Sequence, residues 1–447
     1  MEFTSVVFLF FVFPLFLITY YFSPLKLKNL VILFFSFIML FWGTPRLFLY
    51  FLGCAFLNYI AGFLILKFQN VKFATVFKLI VIFLILAFDA FMYQFISNRD
   101  YCFVYFFRGN FVRSLYIIMF FMNNISFLLD AYKNRFEFSK NIINYFLYVF
   151  MFFNFYVGPV IPYYKIKSKI EKRSFNFDDV VKGVERFILG LFKVLVLAFE
   201  VGEIRRFIYL KTFEELSFCT AWVGALSAFF HFYFFYSGYC DMANGLLKFC
   251  GFPYFENFTE RVFYTSLNKF VRNFNFSFTN YLKFYIFPWA RNSGKMFKVF
   301  KYMSMCFVYM FVTQLDVFYF FILVFLEYVF LNRFFMRFSK IANLKIIRKI
   351  FCFILVIFGF GCFGSRGFFW KNFELLFGKR WLFFDKSLAF ILMFLKFSFI
   401  IACYFGVVYF LKWLKKPRNK YYNLFLFIRK FLYLFLFLAS VVYCLTV

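Results

Sequence analysis

Runs of about twenty nearly uninterrupted apolar side chains recur along this sequence, and they narrow its possible folds more than any other feature. A helix rises about 1.5 Å per residue, so ~20 such residues cross the ~30 Å hydrocarbon core of a bilayer. Within that core every backbone N–H and C=O needs a partner inside the protein, which leaves helices or closed β-barrels. Barrel strands alternate apolar and polar side chains, whereas these runs are continuous. The sequence therefore predicts an all-α polytopic membrane protein. Composition agrees, with 65% hydrophobic residues and a mean hydropathy of +0.80; a soluble domain is about 45–50% apolar. The 94 phenylalanines, beside many Lys and Asn, fit low-GC codon drift and read as lipid-facing and interhelical filler.

Residues 3–22 form the first predicted span. Glu2 precedes it and no small-residue cleavage site follows, so it reads as a retained helix. Spans follow at 29–43 and 47–66, separated by the breaker Thr44-Pro45, and at 75–96, which contains Asp89. Further spans read at 112–131, 142–161, 216–236, 298–313, 317–332, 350–364, 387–411 and 421–446. Segment 101–107 reads as interfacial or re-entrant, and 366–383 as interfacial. The expected total is about 10–12 membrane segments. No linker or soluble domain interrupts them, so residues 1–447 read as a single integral membrane domain.

The formal net charge of +31 would suggest nucleic acid on a soluble chain. Here the cations cluster between spans, as in Lys165, Lys167, Lys169, Lys172, Arg173, Lys182 and Arg186. Those loops are expected on the cytoplasmic side of an inner membrane. The bilayer is the first expected partner and nucleic acid is not one. Ten cysteines without a C-x-x-C pair, beside one histidine, predict neither a zinc site nor a disulfide scaffold.

Residues 229–295 stand apart. An apolar lead-in gives way to Asp241, Asn244, Glu256, Asn257, Thr259, Glu260 and Arg261, then to aromatics alternating with Lys269, Arg272, Asn273, Asn275, Ser277, Asn280 and Lys283. Polar groups this dense between spans are costly unless they line a cavity or a membrane–water boundary. This block is the predicted site.

The order Ser237-Gly238-Tyr239-Cys240-Asp241-Met242-Ala243, Gly245-Leu246, Gly251-Phe252, Glu256-Asn257-Phe258 resembles the central signature of the membrane-bound O-acyltransferase (MBOAT) family. The nearest branch O-acylates exported polysaccharides and teichoic acids and includes alginate O-acetyltransferase and teichoic-acid D-alanyl transferase. Three further segments resemble the family: Asn123 to Lys133, Gly158-Pro159, and the "R-F-x-x-G-L-x-K" helix with Arg186, Phe187, Gly190, Leu191 and Lys193. The resemblance covers roughly residues 10–380; the spans at 387–446 carry no motif. It implies an MBOAT-type helical bundle around a central tunnel, with donor and acceptor entering from opposite sides. It also implies acyl transfer from a thioester (acetyl-CoA or an acyl carrier protein) to a hydroxyl of an envelope glycan. No bound cofactor is implied; an accessory acyl-transfer or export protein is an implied partner. Asp241, Glu256, Asn257, Arg272 and Ser277 are implied substrate-side residues, and Asp130 an organising one.

The family's two histidines are replaced. Asn275 stands at the W-H-I-S position, and Val317 at the G-L-W-H-G position, with Asp316 beside it. An alcohol is a weak nucleophile, and a positioned base normally removes its proton. His231, the one histidine, and Asp316, a carboxylate whose burial would raise its pKa, are the candidate substitutes. Each also has a plain structural alternative: an interhelical hydrogen bond for His231, a helix-end carboxylate for Asp316. Three functions stay open: an active transferase with altered residues, a catalytically degenerate member serving as scaffold or binding subunit, or a transporter of another fold. The last would be expected to show an inverted repeat, and none is found.

Overall fold

A computed structural model describes residues 3–43, 45–68, 79–85, 111–137, 141–154, 158–173, 175–210, 217–258, 262–286, 344–363, 376, 388–414 and 422–446. Every regular element among them is helical. Four helices are long and apolar enough to cross a membrane by length and composition: Phe48–Lys67, Phe218–Phe249, Ala389–Leu411 and Leu426–Thr446. Shorter apolar helices lie at Phe8–Phe22, Lys28–Trp42 and Ile142–Asn154. The chain is an all-α polytopic membrane protein. The expected spans at 298–313 and 317–332, most of 75–96, and segment 101–107 lie outside the described residues.

The helices group into two units. The first comprises Met1–Val184, Ala243–Glu256 and Ser277–Pro288; the second comprises Glu185–Met242, Asn257–Phe276 and Trp289–Val447.

In the first unit, α1 (Phe13–Phe22) continues a π-helical turn at Phe8–Val12. It is followed by α2 (Lys28–Gly43), α3 (Pro45–Lys67), α4 (Phe111–Tyr132), α5 (Ile142–Phe150) and α6 (Tyr163–Glu171). Local chemistry sets several of these ends. Pro45 opens α3, where its missing N–H is no loss. Asn141 caps α5 by accepting from the Ile143 N–H at 3.0 Å. The expected span 142–161 is not one helix: α5 stops at Phe150, and the Phe152 N–H donates to Ser36 Oγ at 3.1 Å. The core packs Phe16 edge-on against Phe152, centroids 5.3 Å apart, and Phe127 against Tyr145 at 4.4 Å.

α7 (Phe177–Phe192) begins in the first unit behind the cap Asn176, which accepts from the Asp178 N–H at 3.1 Å. In the second unit it runs into a π-helical stretch, Lys193–Ala198, and then α8 (Phe199–Leu210). α9 (Phe218–Phe249), α10 (Leu267–Asn273), α11 (Phe276–Tyr281), α12 (Leu344–Phe363), α13 (Leu388–Leu414) and α14 (Tyr422–Thr446) follow. The span in α9 is 56% buried, those in α13 and α14 only 17% each. α9 is therefore the more deeply packed helix, and the C-terminal pair leave most of their apolar surface exposed. Two ion pairs and a hydrogen bond still tie that pair inward: Lys396 pairs with Glu200, the Tyr443 hydroxyl donates to Glu200, and Arg429 pairs with Glu185. Burial raises the Glu200 pKa, but the Lys396 ammonium and Tyr443 hydroxyl outweigh it and hold the carboxyl below its ordinary value.

Candidate functional site

The predicted span at 216–236 continues as helix to Phe249. At 32 residues α9 is ~48 Å long, well beyond the ~30 Å hydrocarbon core. Its second half carries Ser237, Cys240, Asp241, Asn244 and Lys248, spaced three and four apart and so on one face.

The Asp241 carboxylate is the centre of that face in the second unit. It is 4% exposed and accepts from Lys193 Nζ at 2.7 Å and from Arg186 Nη2 at 2.6 Å. The backbone explains how both cations reach it. Arg186 and Lys193 lie two turns apart on α7 and its π-helical extension, with Gly190 between them. A Cβ on Gly190 would sit 2.5 Å from the Gly238 carbonyl oxygen; one on Gly238 would sit 2.8 Å from the Gly190 oxygen. Two glycines thus let the helices touch backbone to backbone, as small residues do between membrane helices. In the first unit Gly183 makes the corresponding approach, its Cβ position 2.9 Å from the Gly245 oxygen.

Around the carboxylate, Lys193 Nζ lies 5.7 Å from the Tyr404 ring centroid, and the Tyr404 and Tyr233 hydroxyls are 3.3 Å apart. Asn257 Nδ2 donates to Cys240 Sγ at 3.2 Å. Asn257 Oδ1 and Ser237 Oγ are buried without a hydrogen-bond partner among the described residues. Two cations therefore meet one carboxylate in a site largely shut off from water.

The other predicted residues fall as follows. The Asn257 carbonyl accepts from the Phe276 N–H at 2.8 Å, bringing the loop after α9 to the stretch that holds buried Asn275. Ser277 Oγ, in the first unit, accepts from the Val160 N–H at 3.0 Å, beside Gly158-Pro159. Glu256 is exposed. Arg272 lies in α10, and its side chain is outside the described set, as are Asp316, Val317, Asp89 and the Pro288-Trp289 turn. His231 is not beside Asp241. Its Nδ1 is 2.8 Å from the Ala198 carbonyl, which can only accept, so Nδ1 carries the proton. Only a glycine at 202 admits the ring, since a Cβ there would lie 2.6 Å from Nδ1.

Several signature residues serve architecture. Gly251, at φ 75°, closes α9 with a Schellman turn: its N–H donates to Lys248 O at 3.0 Å and the Phe252 N–H to Leu247 O at 2.9 Å. The Tyr20 and Tyr21 hydroxyls take the Cys250 and Phe249 carbonyls, each at 2.8 Å. Asn244 grips the Phe255 backbone through both its amide atoms, at 2.8 and 3.1 Å. Asp130 accepts from Arg135 Nη1 at 3.1 Å and from the Tyr285 hydroxyl at 2.8 Å. Among the described residues no cluster of His, Cys, Asp and Glu could hold a metal.

Lys193 and Arg186 were not among the predicted site residues. The signal was present: Lys193 is a lone cation in the apolar run Gly190 to Phe199, and Asp241 a lone carboxylate in another. Two isolated opposite charges at membrane depth are each other's expected partners.

Comparison with known proteins adds lineage. The chain is 26% identical over 311 residues to the "Probable alginate O-acetylase AlgI" of Azotobacter vinelandii, covering 67% of this chain and 62% of that protein. It is 25% identical over 311 residues to the protein of the same name from Pseudomonas aeruginosa, covering 67% and 59%. It is 28% identical over 189 residues to the peptidoglycan O-acetyltransferase of Helicobacter pylori, covering 41% and 36%. The chain thus spans about three-fifths of the length of the alginate relatives. No protein-family model matches it.

Proposed function

We propose that this chain is an O-acyltransferase of the MBOAT type. It moves an acyl group, acetyl in the first instance, from a thioester to a hydroxyl of an exported envelope polymer at the inner membrane. The hydroxyl oxygen attacks the thioester carbonyl, the C–S bond breaks, and the thiol leaves with the proton the hydroxyl gives up. The observation that carries this reading is the meeting of Arg186 and Lys193, from one family-like segment, with Asp241 from the central one. Similarity to proteins named for O-acetyl transfer supports it. Two cations held at one place suit a reaction in which negative charge builds on a carbonyl oxygen and a departing thiolate.

A second reading has its own observation. By the family resemblance Asn275 and Val317 take the positions of the two histidines, and on that reading the chain keeps the fold and serves as a scaffold or binding subunit. Purified full-length protein, given acetyl-CoA labelled in the acetyl group and an alginate or peptidoglycan fragment, separates the two. Labelled ester that mild base releases is the expected result. No ester above a protein-free control, under conditions where an alginate O-acetylase makes it, overturns the transferase reading. Transfer that persists in both His231→Ala and Asp316→Ala removes those two residues as bases.

A further inference from the structure

A cavity of about 600 Å³ opens in the first unit where α3 and α4 end. One wall is the last turn of α3, with Phe63, Leu66 and Lys67; the other is the turn after α4, with Arg135, Phe136 and Glu137. The second wall is built by Asn134. At φ 52° it is left-handed, and it closes α4 with a Schellman turn in which the Asn134 N–H donates to Ala131 O at 3.1 Å and the Arg135 N–H to Asp130 O at 3.0 Å.

That turn fixes a cation. The Arg135 guanidinium is bonded to Asp130 at 3.1 Å and lies 4.0 Å from the Phe284 ring centroid. One carboxylate uses only part of its five N–H donors, and a group already held in place loses little entropy on meeting a ligand. Lys67, exposed at the C-terminus of α3, supplies the second cation where the helix dipole favours one. The lining carries two cations and exposed Glu137, and Asp130 behind the wall neutralises one of the two. Phe63 and Leu66 belong to a helix able to cross a bilayer. The cavity therefore combines apolar walls at the end of a span with two cationic side chains that can donate to an anion just beyond it.

We propose that this cavity holds the phosphodiester headgroup of a membrane phospholipid. The phosphate lies against Lys67 and Arg135, and the first acyl methylenes run along Phe63, Leu66 and Phe136. A free phosphate shares the charge but makes no use of the apolar walls. This inference does not depend on acyl transfer.

The test uses full-length protein, stripped of lipid in detergent and offered phosphatidylglycerol in mixed micelles or inorganic phosphate alone. Retained ligand is read by native mass spectrometry. Wild type and Lys67→Arg are expected to retain the lipid, Lys67→Gln about fivefold less, and Lys26→Gln, an exposed lysine elsewhere, as much as wild type. Glu137→Gln, which removes the opposing charge, is expected to retain more, and it keeps the question open to refutation should Lys67→Gln fail to fold. Equal retention by wild type and Lys67→Gln, equal loss in Lys26→Gln, or lower retention in Glu137→Gln would each overturn the proposal. So would retention of inorganic phosphate that displaces the lipid.

Discussion

At the scale of single residues, Asp241 decides most. A lone carboxylate at the centre of a span costs about 2.5–3.5 kcal/mol to insert; here Lys193 and Arg186 neutralise it. Removing one member of a buried pair costs more than the pair contributes, because the other charge is stranded. Asp241→Leu is expected to destabilise by about 3–5 kcal/mol, and Lys193→Met to be of the same order. The double variant should lose well under the sum of the two, since Arg186, partly exposed, can turn to water. Thermal unfolding in detergent reads the cycle, and simple additivity would show that the two side chains do not act as a pair. Asp241 was legible in the sequence because it sits in a recognisable signature. Lys193 was visible in the family-like "R-F-x-x-G-L-x-K" helix, but nothing in that segment by itself says that it meets Asp241. His231 was visible as the one imidazole, yet its attachment to Ala198 and Gly202 depends on α8 packing beside α9, which no local pattern announces.

At the scale of helices, the close approach at Gly190 and Gly238 is what delivers the cations. Gly190→Ala puts a methyl 2.5 Å from a carbonyl oxygen and 2.7 Å from the Met242 nitrogen, so the backbones must separate. A loss of about 1–3 kcal/mol or more is expected, whereas Gly53→Ala, where a Cβ meets nothing within 4 Å, should change little. Comparable melting of the two variants would mean that the contact carries no weight. Span boundaries were read only in part from hydropathy, and the two misses run in opposite directions. After Tyr236 the chain turns polar but stays helical until Gly251 supplies the left-handed turn. After Phe150 it stays apolar but leaves the helix, and Ser36 takes up the Phe152 N–H. Hydropathy reports which solvent a side chain can face, whereas helix ends follow backbone hydrogen bonds. The two C-terminal helices offered no motif because their ties to the rest of the second unit are long-range ion pairs.

At the scale of the whole molecule, class was legible from the start: apolar runs demand a helical membrane protein, and the chain is 26% identical over 311 residues to a protein named for alginate O-acetylation. On the proposed function, acetyl groups move from a water-soluble donor on one side of a bilayer to a polymer on the other. Proteoliposomes with labelled acetyl-CoA trapped inside and the acceptor polymer outside test that directly. Base-labile label on the outer polymer is expected, lost on omitting the protein. Label that appears only when donor and polymer share a compartment, or no label at all, would contradict it.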